Sequence, residues 1–461
     1  MTASFTEGVL KEFEGADLGD PRRNQRLRVL AERVAQAPAT SFPKMMSPAE
    51  LEGAYRFLNN VKVLPADILR PHVEETLRRV AQEPLILVAH DSSVISFNSD
   101  GESREGLASL GGEKQQFLVH CSLAVRADGS RRPLGVLAAT DHLPVKTEDG
   151  SLQARWAQHV QVIHDLGVAP SAVIHLMDRE ADDYQVLDRC ERIGTRFVIR
   201  VQHNRKVENA SLRETVETAT AIVERDVPLS RRTARGAGPK QKRIHPPRDS
   251  RTARLSVAAR TVVISRPRSA AAECAKELTL NVVRVWESEP PTDQPPVEWL
   301  LYTTEPIATP DDVLRVVDWY RARWTIEEYF KALKTGCALE KRQLEDLPAL
   351  VNVLALFIPI AWRLLLLKSE ARDAPNAPAT TILDPEELEV LRIAGRKKLS
   401  ENPTAEEAML AIAALGGHLK HNGRPGWQTL AHGYLTLQAM MLGWRLRRDF
   451  DQGKFRPGCD Q

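Results

Sequence analysis

The stretch Asp318-Trp319-Tyr320-Arg321-Ala322-Arg323-Trp324-Thr325-Ile326-Glu327-Glu328-Tyr329-Phe330-Lys331-Ala332-Leu333-Lys334 decides how this chain is read. It holds no Gly or Pro and is expected to run as one helix. At about 100° per residue, Tyr320, Arg323, Glu327, Lys331 and Lys334 share an arc of roughly 80°. One face then carries an acid, three cations and a phenol, while Trp324, Ile326, Phe330 and Leu333 lie largely elsewhere. Such a face is either a solvated surface with pairs such as Glu327–Lys331, or a carboxylate that holds a metal beside cations that grip phosphate. The helix alone leaves both open.

Two apolar runs upstream end in an acid. Leu85-Ile-Leu-Val-Ala-His-Asp91 and Ala172-Val-Ile-His-Leu-Met-Asp178 read as strands buried on both faces. Each is expected to stop at its Asp, at the carboxyl end where open α/β sheets place their sites. A lone Asp there is commonly a turn or cap residue. Two of them, joined by Glu327 on a cationic helix face, can hold hard divalent cations through oxygen ligands. A pair of such ions clamps the attacking and leaving oxygens of an in-line phosphoryl displacement. No cluster of His and Cys in the sequence suits zinc, so Mg²⁺ or Mn²⁺ is expected, two ions per site. Two acids could also serve a glycosidase, which would need neither the cationic helix nor the basic loop described below.

Composition bounds the rest. A chain of 461 residues can hold two to four domains, and 43% hydrophobic with 27% charged residues is ordinary for a globular protein. A net charge of +2 hides local asymmetry and excludes no nucleic-acid partner. Cys121, Cys190, Cys274, Cys337 and Cys459 form no C-x-x-C pair, which argues against a zinc knuckle or a disulfide framework and for a reducing compartment. The N-terminus lacks a signal-peptide pattern. The longest apolar run, Val351 to Leu367, is interrupted by Asn352, Pro359 and Arg363, and reads as a buried helix rather than a membrane span. A cytoplasmic protein with no membrane partner is expected.

Along the chain, residues 1–70 read as a small helical head. Asp20 with Pro21, and Ser47 with Pro48, are helix starts. Arg22, Arg23, Arg26 and Arg28 crowd the first turns of one helix, where they oppose its dipole, a cost that a phosphate partner would offset. Residues 80–202 follow the order βββαβαβ, a mixed sheet flanked by helices. Residues 203–310 read as a β-rich insertion, with a flexible basic loop from Arg225 to Arg254 suited to nucleic acid. Asp384 with Pro385 opens a helical tail that ends in a long helix from Trp427 to Arg448.

Val88-Ala-His-Asp91-Ser-Ser, His175-Leu-Met-Asp178-Arg-Glu-Ala-Asp and Tyr320-x2-Arg323-x3-Glu327-x6-Lys334 resemble the DDE transposases of bacterial cut-and-paste elements. More narrowly they are similar to the IS-four, Tn-five-type branch, whose mark is the Y-x2-R-x3-E-x6-K helix. Leu18-Gly-Asp-Pro-Arg-Arg, Glu52-Gly-Ala-Tyr-Arg-Phe, Arg196-Phe-Val-Ile-Arg, Glu298-Trp-Leu-Leu and Ala413-Ala-Leu-Gly-Gly extend the likeness collinearly over nearly the whole chain. The resemblance implies an RNase H-like α/β core (residues 71–369) interrupted by a β-rich insertion (about 203–310), a helical DNA-end-binding domain (1–70) and a helical dimerisation domain (370–461). Asp91, Asp178 and Glu327 would be the catalytic, metal-binding triad. Tyr320, Arg323 and Lys334 would hold terminal phosphates, with Lys331 on the same face. Trp299 would stack on, or fill the place of, a flipped base. Arg22, Arg23, Arg26, Tyr55, Arg56, Arg200 and His203 would contact transposon-end DNA. The activity implied is cleavage at element ends through a hairpin and joining of the 3′-OH to target DNA, by a homodimer in a paired-end complex. A descendant that only binds and represses, or an RNase H-like nuclease that never joins strands, are the rival readings.

Overall fold

Local signals in the head are realised as written. The computed structural model describes residues 5–98, 104–109, 114–143, 154–207, 210–229, 249–292, 294, 296–419 and 424–453. After α1 (Phe5–Lys11), the Asp20 carboxylate accepts from the Arg22 backbone N–H and starts α2 (Pro21–Gln36) with Pro21 in the first turn. A short α3 (Phe42–Met45) follows. Ser47 and Glu50 form a reciprocal capping box at α4 (Pro48–Leu58), and α5 (Pro65–Val80) completes the head.

Two compact units divide the chain. One comprises Met1–Glu83, Ser92–Val145 and Thr325–Gln461; the other comprises Pro84–Asp91 and Lys146–Trp324. Strand β1 (Ile86–Asn98) contributes to both. It therefore does not stop at Asp91, as its apolar run suggested, but continues to Asn98.

In the first unit, β2 (Ala108–Ser109) and β4 (Pro133–His142) both pair antiparallel with β3 (Lys114–Arg126), β4 through a hairpin. The second unit carries α6 (Ala154–Asp165), β5 (Val173–Met177), α7 (Tyr184–Ile193) and β6 (Arg196–Arg200). A 3₁₀ turn, Arg179–Ala181, precedes α7, because Asp178 caps the turn and Asp183 caps the helix.

The insertion is not a separate β layer. Beyond β7 (Lys206–Val207), β8 (Ala210–Ser211) and α8 (Leu212–Glu217), strands β9 (Val223–Leu229), β10 (Arg251–Ser265), β11 (Glu277–Glu287) and β12 (Glu298–Thr303) extend the core sheet. Strand β12 lies antiparallel to both β11 and β6. Both ends of the expected basic loop are strand: β9 pairs with β10, Arg225 bonds to Asp318 at 2.8 Å and Arg254 to Glu224 at 2.7 Å. Residues 230–248, where the rest of that loop falls, lie outside the described residues.

Helix α9 (Pro310–Ala322) packs on β5, β6, β10 and β11. The single helix expected from 318 to 334 is interrupted. Arg323 and Trp324 bond back three residues, to the carbonyls of Tyr320 and Arg321, and a new helix α10 (Thr325–Lys331) starts beyond them. A five-residue π-helix, Ala332–Gly336, follows. The common wheel drawn from the sequence thus does not apply across Arg323.

The apolar run becomes α11 (Leu347–Asp373), the one described helix long and apolar enough to cross a bilayer; 89% of its apolar window is buried inside the protein. It packs against α1, α4, α5, β4 and α10. Asp384 and Glu387 box the start of α12 (Pro385–Ala394), and α13 (Ala405–Leu415) and α14 (Trp427–Asp451) complete the tail.

Candidate active site

Strand register assembles the acid pair. In the parallel ladder of β1 and β5, Ile86 faces Val173 and Ala89 faces Leu176. The same offset carried two residues further sets Asp91 level with Asp178. Neighbouring strands lie about 4.8 Å apart, so the two carboxylates leave the sheet side by side. Each is half-buried. The turn reading of Asp178 also holds, since its Oδ1 accepts from the Glu180 backbone N–H at 2.8 Å. Capping fixes the side chain at the strand end.

Cations converge on this pair. Arg323 Nη1 donates to Asp91 Oδ2 at 3.1 Å, and Arg323 is only 9% exposed. Arg155 on α6 is buried and bonds Glu180 at 3.0 Å. Burial lowers the Arg155 pKa, opposed by the charges of Glu180, Asp178 and Asp91. Arg155 escaped the sequence reading. Its signal was available: it shares the apolar face of α6 with Trp156, His159, Val160 and Ile163, where a lone cation is out of place.

Tyr320 joins from α9. Its hydroxyl is pushed above the ordinary range by burial, opposed by the charges of Arg323 and Arg200 and by a hydrogen bond with Arg200. The Trp299 ring on β12 lies 6.0 Å from the Tyr320 ring, tilted by 59°. Leu301 pairs with Arg200, which sets Arg200 and Trp299 on adjoining strands. Asp91, Arg323, Tyr320, Arg200 and Trp299 thus form one chain of contacts. His203 stands apart: it is exposed, and its backbone N–H bonds Asp182 Oδ2 at 2.7 Å. Asp182, the last acid of the Asp-Arg-Glu-Ala-Asp run, is itself buried. It also receives Gln202 N–H and Arg205, so it ties down the 202–205 turn.

Imidazoles the sequence did not group lie behind Asp91. His90 Nε2 is 2.8 Å from His175 Nδ1, and the His90 and His159 rings lie 6.4 Å apart. Burial alone pulls His175 down to about 3, so it is neutral. Their distance apart in sequence concealed them.

Glu327 and the two lysines belong to the other unit. Glu327 is half-buried on α10. Lys331 bonds Glu328 at 2.7 Å. Lys334 donates to the Val94 carbonyl and lies 3.5 Å from Glu340. Burial would raise the Glu328 pKa, but its bonds to Lys331 and Lys368 outweigh this and hold it at about 2.

In the head, Arg22 is exposed, Arg23 donates to the Leu18 carbonyl at 2.5 Å, and Arg56 pairs with Glu52 at 2.5 Å. Tyr55 is half-buried. The Arg26 guanidinium packs on Gly53: a Cβ at position 53 would stand 2.4 Å from Arg26 Cζ.

Paired carboxylates at the ends of adjacent strands, met by buried cations, are a setting for phosphoryl chemistry, and comparison with known proteins supplies the family. Residues 8–63 match the family model for a transposase DNA-binding region, and residues 84–358 match that for a transposase DDE domain. The second match covers more than half of the chain, which therefore belongs to the DDE transposases and binds DNA. Among solved structures, the piggyBac transposase synaptic complex with hairpin DNA aligns over 99% of this chain and 76% of that one, at 10% identity and a TM-score of 0.38. A likeness of that depth decides nothing further. DDE transposases use divalent metal, and the oxygen donors of Asp91 and Asp178 suit a hard divalent cation.

Proposed function

We propose that this chain is a cut-and-paste transposase of the IS-four, Tn-five type, from a bacterial element and acting in the cytoplasm, with an RNase H-like catalytic core. The register that levels Asp91 with Asp178, with Arg323 on Asp91, is the observation that carries the reading. Asp91, Asp178 and Glu327 would hold two Mg²⁺ or Mn²⁺ ions. Bound there, the metal supplies charge stabilisation for attacking and leaving oxygens.

The chain's own groups do the rest. Arg323 and Tyr320, backed by Arg200, hold the phosphate at the element end. Lys334 and Lys331 steady the strand. Trp299 faces a base displaced from the stack. Arg22, Arg23, Arg26, Tyr55, Arg56 and His203 contact end DNA, with residues 1–70 as the end-binding domain. Water first cuts one strand. The freed 3′-OH attacks the opposite strand to form a hairpin, a second water opens it, and the 3′-OH then attacks target DNA. Each step is a phosphoryl transfer with a different oxygen nucleophile, so no protein nucleophile is needed. Residues 370–461 would pair two copies in the paired-end complex.

Purified protein, fragments carrying the element ends, and Mg²⁺ test this. Hairpinned flanks and strand-transfer products are expected from wild type, and neither from Glu327→Gln. Wild-type cleavage by Glu327→Gln would sink the triad assignment.

A further inference from the structure

Glu328, the neighbour of the proposed third acid, is gripped from three elements. Its Oε1 accepts from Lys331 Nζ at 2.7 Å, on α10 itself. Its Oε2 accepts from Lys368 Nζ of α11 and from the indole N–H of Trp427, the first residue of α14, each at 2.8 Å. The Lys368 ammonium lies 4.3 Å from the centre of the Trp427 ring, and Trp427 is 8% exposed.

Helix α10 has only seven residues. So short a helix does little to hold its own orientation, and its packing must do so. The π-helix at its end packs on α11 and α14, and a π turn shifts the helical phase that would otherwise be relayed from beyond it. The grip on Glu328 therefore sets the rotation of α10. Successive side chains leave a helix about 100° apart, so a fixed Glu328 fixes the direction in which Glu327 leaves. Two charge-assisted bonds converge here on one half-buried carboxylate, a stronger anchor than a surface ion pair.

We propose that Glu328, Lys368 and Trp427 are positioning residues for Glu327, through which the seating of α14 tunes divalent-cation binding; the proposal rests on Glu327 being a metal ligand. Partners that orient a metal ligand are typically worth about 10- to 100-fold in affinity.

The test uses full-length protein and Mn²⁺, with binding read from the electron paramagnetic resonance of the free ion, alongside thermal melting. Trp427→Phe keeps an aromatic ring and removes the N–H. Lys368→Met keeps the stem and removes the charge. Each is expected to weaken Mn²⁺ binding about tenfold, with Glu328→Gln recovering part of what Glu328→Ala loses. Mn²⁺ affinity close to wild type in both Trp427→Phe and Lys368→Met overturns the proposal, and a lowered melting temperature with unchanged affinity does the same. Glu327→Gln is the separate control: if it binds Mn²⁺ as tightly as wild type, the metal-ligand role of Glu327 fails and takes the positioning role with it. If it binds weakly while Trp427→Phe and Lys368→Met do not, the positioning role alone fails.

Discussion

Glu12 is a carboxylate only 2% exposed, and its partners keep it ionised. Arg79 donates to both of its oxygens, at 2.8 and 3.0 Å, and His72 Nδ1 lies 2.5 Å away. The Val136 N–H donates to His72 Nε2 at 3.0 Å, so the imidazole proton sits on Nδ1 and points at Glu12. Burial would raise the Glu12 pKa, but the hydrogen bonds and charges of His72 and Arg79 outweigh it and hold the group at about 2. Burial lowers His72 below its ordinary 6.5, against the pull of Glu12. In both cases the unfolded chain binds the proton more readily. Their stabilisation is therefore complete above pH 6.5; the His72 share fades as pH falls below that value, and the Glu12 share is lost between 4.5 and about 2. The Glu12 shift corresponds to roughly 3 kcal/mol at neutral pH. Glu12→Gln should lose about that much urea stability at pH 7, with the gap from wild type narrowing only once pH falls below 4.5; a gap that ignores pH there would contradict the ionised assignment.

Helix contacts make two further predictions. Gly53 of α4 leaves room for Arg26 of α2, so Gly53→Ala must push the guanidinium aside. Alanine gains helix propensity, about 0.8–1 kcal/mol over glycine, so stability should hold. End-DNA binding should weaken, and the slope of log affinity against log salt should fall by about 1, as for Arg26→Gln. An unchanged slope in both variants would remove Arg26 from the interface. Where α13 and α14 cross, a Cβ at Gly433 would stand 1.9 Å from the Ile412 carbonyl oxygen. That obstacle is backbone and cannot swing away. Gly433→Ala should therefore cost about 1–3 kcal/mol in urea unfolding, and no loss would refute the close crossing. Elements of this kind were legible in proportion to how local their causes are. Asp20, Ser47 and Asp384 announced their helices because a cap acts within three residues. The run of β1 past Asp91 was not legible, because strand length depends on pairing with distant segments. Nor was the break at Arg323, since a helix without Gly or Pro carries no local reason to stop. Arg155 and the buried imidazoles became a group only when the sheet and α6 brought them together.

At the scale of the molecule, the proposed pairing of two copies has its best support in α14. All the buried residues of this 25-residue helix lie between Trp427 and Met441. Beyond them Leu442, Leu446 and Phe450 recur at four-residue spacing, 62%, 48% and 61% exposed, and so share one face. Arg445 and Arg448 turn instead to Glu386 of α12, which anchors the helix on its other side. Three such side chains offer a few hundred Å² at most, whereas a stable interface needs roughly 800 Å² from each partner. The stripe is thus too small to hold a dimer by itself, and as the proposed interface it would become sufficient only with both copies already held on DNA ends, where their effective concentration is high. The expected behaviour follows from that imbalance. Protein without DNA should sediment as a monomer at micromolar concentration, and adding end-containing fragments should produce complexes with two copies and two ends. Leu442→Glu combined with Leu446→Glu should leave single-end binding and the melting temperature near wild type, because neither side chain is packed, while abolishing the two-end complex and, with it, strand transfer. A double variant that still pairs ends would move the interface away from α14, and a DNA-free dimer that survives both substitutions would place it elsewhere on the chain.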